Sequence, residues 1–161
     1  MAWTALTLAA GWAILTAVIG AWLTVIGDWY YALSKPGWKP PDWAFGPVWT
    51  TIFILASVAF YQAWVRSETG HTLLLAAYIV NGALNIFWNV LFFTWRRPDW
   101  ALIETGFLWL SIIAMMAALA AMLPWTAALL VPYLVWVSIA WLLNLRIVQL
   151  NNFGATAEED G

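Results

Sequence analysis

The 161-residue sequence contains no cysteine, a single histidine and few charged residues. Without cysteine there is no disulfide framework, no thiolate metal site and no cysteine nucleophile. Six Lys and Arg residues stand against eight Asp and Glu residues, which gives a net charge of −2. Nucleic-acid binding requires clustered positive charge to neutralise phosphates. We therefore expect no nucleic-acid partner and no metal site.

Charge is also too scarce for a soluble domain. Charged residues make up 9% of the chain and hydrophobic residues 65%, against about 25% and 45–50% in typical soluble domains. So few charges cannot cover the apolar area, and the bilayer must take the place of water. The composition therefore predicts an integral membrane protein.

Five apolar segments are long enough to cross a bilayer, for which about 20 residues suffice. The predicted helices cover approximately residues 3–26, 44–65, 72–95, 100–122 and 126–150. The links between them are short, except for a long loop rich in proline and tryptophan between the first two. We predict an all-α membrane protein, a five-helix transmembrane bundle that forms one domain over residues 1–150. A flexible acidic tail at 151–161 follows.

The long segment DWYYALSKPGWKPPDWAFGPVW, residues 28–49, differs from the rest of the chain. It holds four of the seven prolines and four of the fifteen tryptophans. Proline disfavours helix at its own position and at the residue before it, so residues 28–43 are predicted to form a loop. Asp42 is expected to cap the second helix, and Pro47 to lie in its first turn.

Polar and aromatic residues recur on one face of the third predicted helix, where Asn81, Asn85, Trp88 and Phe92 follow helical spacing. Carboxamides facing lipid would be costly, so this face points into the bundle. Two interpretations remain open: hydrogen bonds between helices, or the polar edge of a cavity. Further faces of the same kind are formed by Trp136, Ala140 and Asn144 in the fifth helix and by Trp49, Phe53 and Phe60 in the second.

These faces would meet beneath the 28–43 loop and enclose an aromatic pocket, which is the common form of a small-molecule site. Lys35 and Lys39 in the loop are candidate anion contacts near its mouth. The pocket is suited to a flat, conjugated, partly anionic ligand. Alanines at four-residue spacing in the first helix, Ala13, Ala17 and Ala21, mark either packing within the monomer or a dimer interface. Ala114 and Ala118 in the fourth helix form a second candidate dimer face.

Catalytic groups are few. Glu104 lies near the start of the fourth helix, where a carboxylate suits the helix dipole, and is interpreted as structural or interfacial. His71 falls in a predicted polar turn. The sequence contains no Ser-His-Asp set, carboxylate pair or phosphate-binding loop. A haem would find no histidine or cysteine inside the membrane, so a metal-free porphyrin fits better than a ligated haem.

The loop sequence WYYALSKPGWKPPDWAFGPVW resembles the signature WY-x2-L-x-KP-x-W-x-PP-x-W-x-F-x3-W of the translocator protein family. These are the tryptophan-rich sensory proteins, also called peripheral benzodiazepine receptors. NGALNIFWNVLFF is similar to the family's third helix and PYLVWVSIAWLLNLRIVQLN to its fifth, so the resemblance covers nearly the whole chain.

The resemblance implies a five-helix membrane protein, usually a homodimer, whose single ligand pocket is closed by the first loop. It implies binding of porphyrins such as protoporphyrin IX or haem, of sterol-like lipids, and of isoquinoline or benzodiazepine drugs, with no cofactor required. Bacterial members are described as regulators of tetrapyrrole metabolism and stress responses. The family's pocket positions fall here on Tyr30, Trp38, Trp49, Phe53, Asn81, Asn85, Trp88, Trp136 and Ala140.

Two alternatives to a receptor stay open. In some family members two tryptophans, here Trp49 and Trp136, are tied to light-dependent breakdown of protoporphyrin, which would make the protein an enzyme. A transporter of tetrapyrroles or lipids is the other, although the sequence shows no inverted repeat and no buried ion-coupling pair.

A departure from the animal pattern concerns cholesterol. Leu145 stands where the animal motif has tyrosine, and Gln149 where it has a basic residue. That motif is a weak pattern in itself, and its absence is consistent with a bacterial membrane protein.

Basic residues predict the orientation. Five of the six fall on the loop side of the bundle, and Arg66 alone falls on the other. The positive-inside rule then places the loop and the C-terminus in the cytoplasm and the N-terminus outside.

Overall fold

The computed structural model describes residues 2–153, and these form a bundle of helices. Five segments are long and apolar enough to cross a membrane. This confirms the predicted all-α fold with five spanning helices and an integral membrane protein. The elements in chain order are α1 Ala2–Leu23, α2 Asp28–Ala32, α3 Asp42–Arg66, α4 His71–Asn89 with a π-helical turn Val90–Thr94, α5 Pro98–Met122, α6 Pro124–Ala127 with a 3₁₀ turn Ala128–Leu130, and α7 Val131–Leu150.

The segment between α1 and α3 is partly helical. We predicted a loop from residue 28 onward, but Asp28–Ala32 form the short helix α2. Its N-terminal Asp28 suits the helix dipole, and the chain turns extended at Leu33 as it approaches Pro36. We call residues 28–41, including α2, the lid.

The start of α3 differs from the prediction in two respects. Asp42 is the first helical residue and not its cap, because Pro41 occupies the capping position in extended conformation. The Asp42 carboxylate instead accepts hydrogen bonds from Lys39 and from the hydroxyl of Tyr30. Pro47 consequently lies in the second turn of α3 and not in the first.

The last spanning segment, predicted as continuous from residue 126, is interrupted. α6 ends at Ala127, and a 3₁₀ turn precedes α7. Pro132 explains the break. It lacks the N–H that a continuous helix would need at this position, but it is tolerated in the first turn of α7, where the N–H has no partner within the helix.

The helices pack around three buried clusters that are stacked along the bundle. Phe60, Tyr78 and Met115 belong to the cluster farthest from the lid. Tyr133 and Ile112 belong to the middle cluster. The third cluster joins the lid to the ends of α4, α5 and α7 through Tyr30, Leu33, Leu91, Phe92, Ala101, Leu143 and Ile147.

Residues 151–153 continue from α7 and pack at the lid end of the bundle, where Phe153 contacts the third cluster. These three residues were predicted to belong to the acidic tail, the rest of which lies outside the described residues. The homodimer stays a prediction, since the structure holds one chain.

Candidate functional site

A cavity of about 450 Å³ lies beneath the lid and is bounded by α1, α2, α3, α4, α5 and α7. Its volume falls in the range of about 300–1,000 Å³ that is typical of ligand sites. Eight of the 24 lining residues are aromatic. The aromatic lining residues are Tyr30, Phe45, Trp49, Phe53, Trp88, Phe92, Phe93 and Trp136.

The rings are organised in pairs contributed by helical spacing and by contacts between helices. Trp49 and Phe53, one turn apart on α3, stack with centroids 5.6 Å apart. Phe45 meets Trp136 of α7 edge-on at 5.3 Å. Such pairs hold each other in defined orientations, so the cavity presents fixed aromatic surfaces.

The side of the cavity formed by α1 is small and partly polar. Ala17, Gly20 and Ala21 leave the space open, and Thr24 donates to Asn89 Oδ1 at 2.9 Å. The alanine spacing allowed two interpretations, packing within the monomer or a dimer interface. The structure supports the first for Ala17 and Ala21, because both face the cavity. It does not test the dimer interface.

Polar side chains of α4 that reach the cavity are hydrogen-bonded to neighbouring helices. Asn85 donates to the hydroxyl of Tyr133 at 3.2 Å, and the indole N–H of Trp88 donates to Thr105 on α5 at 3.0 Å. These bonds fix the wall, because a buried donor that loses its partner is costly.

Asn144 joins α7 to α5 in a similar way. With its carboxamide oriented to satisfy both ends, it donates to the carbonyl of Pro98 at 3.1 Å and accepts from the N–H of Leu102 at 3.0 Å. Asn144 also lines the cavity, so the first turn of α5 is positioned by a cavity residue.

The lid covers the cavity with Tyr30, whose ring is surrounded by two lysines. Lys35 donates to the carbonyls of Tyr30 and Leu33 and lies over the Tyr30 ring at 4.2 Å. Lys39 forms an ion pair with Asp42, and its ammonium is 5.9 Å from the same ring.

The pKa values of the two lysines are shifted in opposite directions. Burial, and then the neighbouring Lys39, lower the pKa of Lys35 below its ordinary 10.5. Burial also acts to lower the pKa of Lys39, but the hydrogen bond to Asp42 and the nearby Tyr30 more than offset it, and the pKa of Lys39 is raised. Burial raises the pKa of the Tyr30 phenol, although Lys39 opposes this. Lys39 is therefore already neutralised by a carboxylate, whereas Lys35 has no ion pair among residues 2–153.

The structure brings together most, but not all, of the predicted pocket residues. The cavity is lined by Tyr30, Trp49, Phe53, Asn85, Trp88, Trp136 and Ala140. Trp38 is 52% exposed and lies outside the lining, as do Lys35 and Lys39. Their contact with a ligand stays a prediction.

Asn81 is fully buried and outside the lining. It donates to Ser111 on α5 at 2.9 Å and accepts from Tyr133 on α7 at 3.1 Å. For Asn81 the structure thus supports hydrogen bonding between helices, and for Asn85 it supports both interpretations.

Several lining residues escaped the sequence analysis, among them Thr16, Thr24, Phe45, Asn89, Phe93 and Thr105. Thr16 lies in α1 and Thr24 directly after it, in a uniformly apolar segment where a threonine can satisfy its hydroxyl on a main-chain carbonyl four residues back. Their one signal was polarity in a spanning helix, which favours a position facing the bundle.

Glu104 was interpreted from the sequence as structural or interfacial, and the structure buries it within the bundle. It is the seventh residue of α5 and only 5% exposed. Neither carboxyl oxygen has a hydrogen-bond partner among the described residues. The helix dipole therefore does not account for its position, because that effect is confined to the first turn.

No group of three or more potential metal ligands occurs among residues 2–153. The cavity combines fixed aromatic surfaces, hydrogen-bonded amides at one edge and a cover, which are features that small-molecule sites share. Fold and site together define a five-helix integral membrane protein with an aromatic cavity inside the bundle.

Residues 3–150 match the model of the TspO/MBR family. The chain belongs to this family.

Similar proteins come from bacteria and animals. The chain is 40% identical over 129 residues to "Tryptophan-rich protein TspO" of Chlorobaculum tepidum, covering 77% of this chain and 80% of that protein. It is 34% identical over 151 residues to "Protein CrtK" of Rhodobacter capsulatus, covering 91% and 94%. It is 37% identical over 133 residues to "Translocator protein" of Bos taurus, covering 76% and 75%.

Proposed function

We propose that this protein is a membrane receptor that binds porphyrin-type tetrapyrroles in the cavity beneath the lid and regulates tetrapyrrole metabolism or a stress response. The observation that carries the proposal is the combination of cavity volume and aromatic lining. A flat conjugated macrocycle stacks on indole and phenyl rings, and its burial removes apolar surface from water.

The charges near the lid support an acidic ligand. The ammonium of Lys35 lies next to Tyr30, a lining residue, and its charge is not neutralised by a described carboxylate. A propionate at the cavity mouth would find a partner there. Smaller apolar molecules of the isoquinoline or benzodiazepine type fit the same aromatic surfaces and would compete with the porphyrin.

The test is a titration of the protein in nanodiscs with protoporphyrin IX, followed by tryptophan quenching and by the Soret band. We expect saturable binding that empty nanodiscs do not show. Ala140→Phe, which fills the cavity, should weaken binding at least tenfold. Ala120→Phe is the matched control, because Ala120 is exposed on α5 and outside the lining. Equal binding by all three proteins, or by empty nanodiscs, would refute the proposal.

A second candidate function, light-dependent porphyrin breakdown, is favoured by the position of Trp49 and Trp136 in the same lining. An indole can donate one electron to a photoexcited porphyrin, which leaves an indole radical cation and a porphyrin radical anion. Dioxygen would be the oxidant for ring opening. The test is product formation under light and air, and a yield unchanged in the double variant Trp49→Phe with Trp136→Phe would exclude these indoles as donors.

We also propose that the lid faces the cytoplasm, because the basic residues concentrate at the lid end of the bundle. The absence of cysteine allows a direct test. Trp38→Cys on the lid and Ser67→Cys at the opposite end can each be treated with a membrane-impermeant maleimide in intact cells. We expect labelling of Ser67→Cys alone, and the reverse pattern would invert the orientation.

A further inference from the structure

The lid is attached to the end of α7 by one side chain. Asn151 is the first residue after α7. Its Oδ1 accepts a hydrogen bond from the main-chain N–H of Ser34 at 2.9 Å, and its Nδ2 donates one to the carbonyl of Ser34 at 2.9 Å. The Asn151 carboxamide thus pairs with both main-chain groups of one lid residue, as a neighbouring strand would.

Asn151 is itself held in place. Its Nδ2 also donates to the carbonyl of Ile147 at 2.8 Å, one turn back in α7. Its main-chain N–H donates to the same carbonyl at 3.2 Å. The carboxamide is therefore oriented before the lid meets it, which lowers the entropic cost of forming the two bonds to Ser34.

The other side-chain hydrogen bonds of the lid are local. Those of Lys35 end on carbonyls within the lid, and those of Lys39 and Tyr30 end on Asp42, where α3 begins. In the described part of the chain, the side-chain hydrogen bonds that tie the lid to a distant helix are those of Asn151, across 117 positions.

The attachment lies where opening would expose the cavity. Leu33, next to Ser34, and the lining residue Tyr30 are buried in one cluster with Leu143 and Ile147 of α7, which also line the cavity. Lifting the lid from α7 would break the two bonds to Ser34 and separate these four side chains.

We propose that Asn151 is a latch that controls the opening of the lid and thereby the rates at which a ligand enters and leaves the cavity. The inference rests on the proposed binding function. Asn151 does not line the cavity, so it is a positioning residue that acts through the lid. Its loss should change the rates of exchange more than the equilibrium affinity, because a gate that opens more often speeds entry and exit alike.

The experiment compares the full chain with Asn151→Ala, in nanodiscs, with any affinity tag at the N-terminus. Stopped-flow tryptophan quenching with protoporphyrin IX gives association and dissociation rates. We expect both rates to rise about fivefold, from the loss of two partly solvated hydrogen bonds, with the dissociation constant within about twofold. Asn151→Asp keeps the acceptor for the N–H of Ser34 but loses both donated bonds, and should show most of the effect.

Asn152→Gly is the matched control. Asn152 is exposed, makes no side-chain hydrogen bond among the described residues, and has a φ of 56° that glycine adopts without strain. Its rates should equal those of the unmodified protein.

Amide hydrogen exchange of the ligand-free protein measures the opening of the lid without any porphyrin. Amides of residues 28–41 should exchange faster in Asn151→Ala, while α4 is unchanged. Faster exchange with unchanged ligand rates would overturn the inference, because the ligand would then bypass the lid. Weaker affinity with an unchanged association rate would overturn it as well. Failure of the unmodified protein to bind porphyrin would overturn the proposed function, and the gating inference with it, even where exchange confirms the hydrogen bonds.

Discussion

Tyr133 of α7 donates its hydroxyl proton to Oδ1 of Asn81 of α4 at 3.1 Å, and at most 1% of either residue is exposed. The same hydroxyl accepts a hydrogen bond from Asn85, which lines the cavity one turn further along α4. Asn81 continues the network to Ser111 of α5. Three helices are thus held together by satisfied polar groups next to the cavity, in a medium where an unpaired group is costly.

Tyr133→Phe tests this network. The substitution leaves Asn81 Oδ1 and Asn85 Nδ2 without their partner and should cost about 1–3 kcal/mol in the free energy of unfolding. Thermal unfolding in a mild detergent measures it. Tyr61→Phe is the control, because the Tyr61 hydroxyl makes no hydrogen bond among the described residues. An equal effect of both substitutions would contradict the interpretation.

Gly82 sets the distance between α1 and α4. A Cβ at this position would lie 2.8 Å from the indole nitrogen of Trp12 and 3.0 Å from the hydroxyl of Thr16. Gly82→Ala should therefore destabilise the bundle by about 1–3 kcal/mol through overpacking. Gly106→Ala on α5 has room, with Trp141 at 3.5 Å, and should be neutral or slightly stabilising because alanine favours helix. Melting temperatures that do not separate the two variants would show that α1 adjusts freely.

Glu104→Met removes a buried carboxyl that has no hydrogen-bond partner within residues 2–153, while keeping the length of the side chain. We expect unchanged or higher stability, because burial of an unsatisfied polar group opposes folding. Glu68→Met, in an exposed turn, should change the free energy of unfolding by less than about 0.5 kcal/mol. A marked loss of stability or of porphyrin binding in Glu104→Met would reveal a partner for the carboxyl, such as a bound molecule.

The two lysines of the lid should change the stability of the fold in opposite directions as the pH becomes alkaline. The pKa of Lys39 is raised, so its stabilisation is complete below its ordinary pKa of 10.5 and is lost as the pH rises through the raised value. The pKa of Lys35 is lowered, so its cost to the folded state is relieved as the pH rises toward 10.5.

The measurement is the melting temperature of Lys39→Met and of Lys35→Met between pH 9 and pH 11.5, each relative to the unmodified protein. The deficit of Lys39→Met should shrink as the pH rises, whereas the difference for Lys35→Met should move in the opposite direction. The same trend in both variants would contradict the assigned environments.

Much of the fold was predictable because the bilayer restricts it. A segment without charge over more than 20 positions has to be a spanning helix, since lipid offers no partner to the main chain. Helical spacing placed Asn85 and Trp88 on one face, and the cavity wall confirms that this face points inward. The prolines predicted a boundary before α3 but not the residue at which α3 begins. Pro47 is tolerated in the second turn as well as in the first, so it does not fix the start of the helix.

The role of single polar residues could not be read in the same way. Asn81 and Asn85 are equivalent by spacing, yet Asn85 reaches the cavity and Asn81 does not. The difference arises from Ser111 and Tyr133, which lie 30 and 52 positions away and occupy the space around Asn81. Glu104 shows the same limit, since its burial as the seventh residue of α5 depends on the packing of neighbouring helices and not on the local sequence.

The sequence by itself determined the solvent of this protein, the number of its helices and the aromatic character of its interior, because composition and spacing act locally along each helix. Only the tertiary structure decided which residues enclose the cavity and how the lid is held. Those features depend on pairs such as Ser34 and Asn151, which are 117 positions apart, and no local pattern carries information about such a distance.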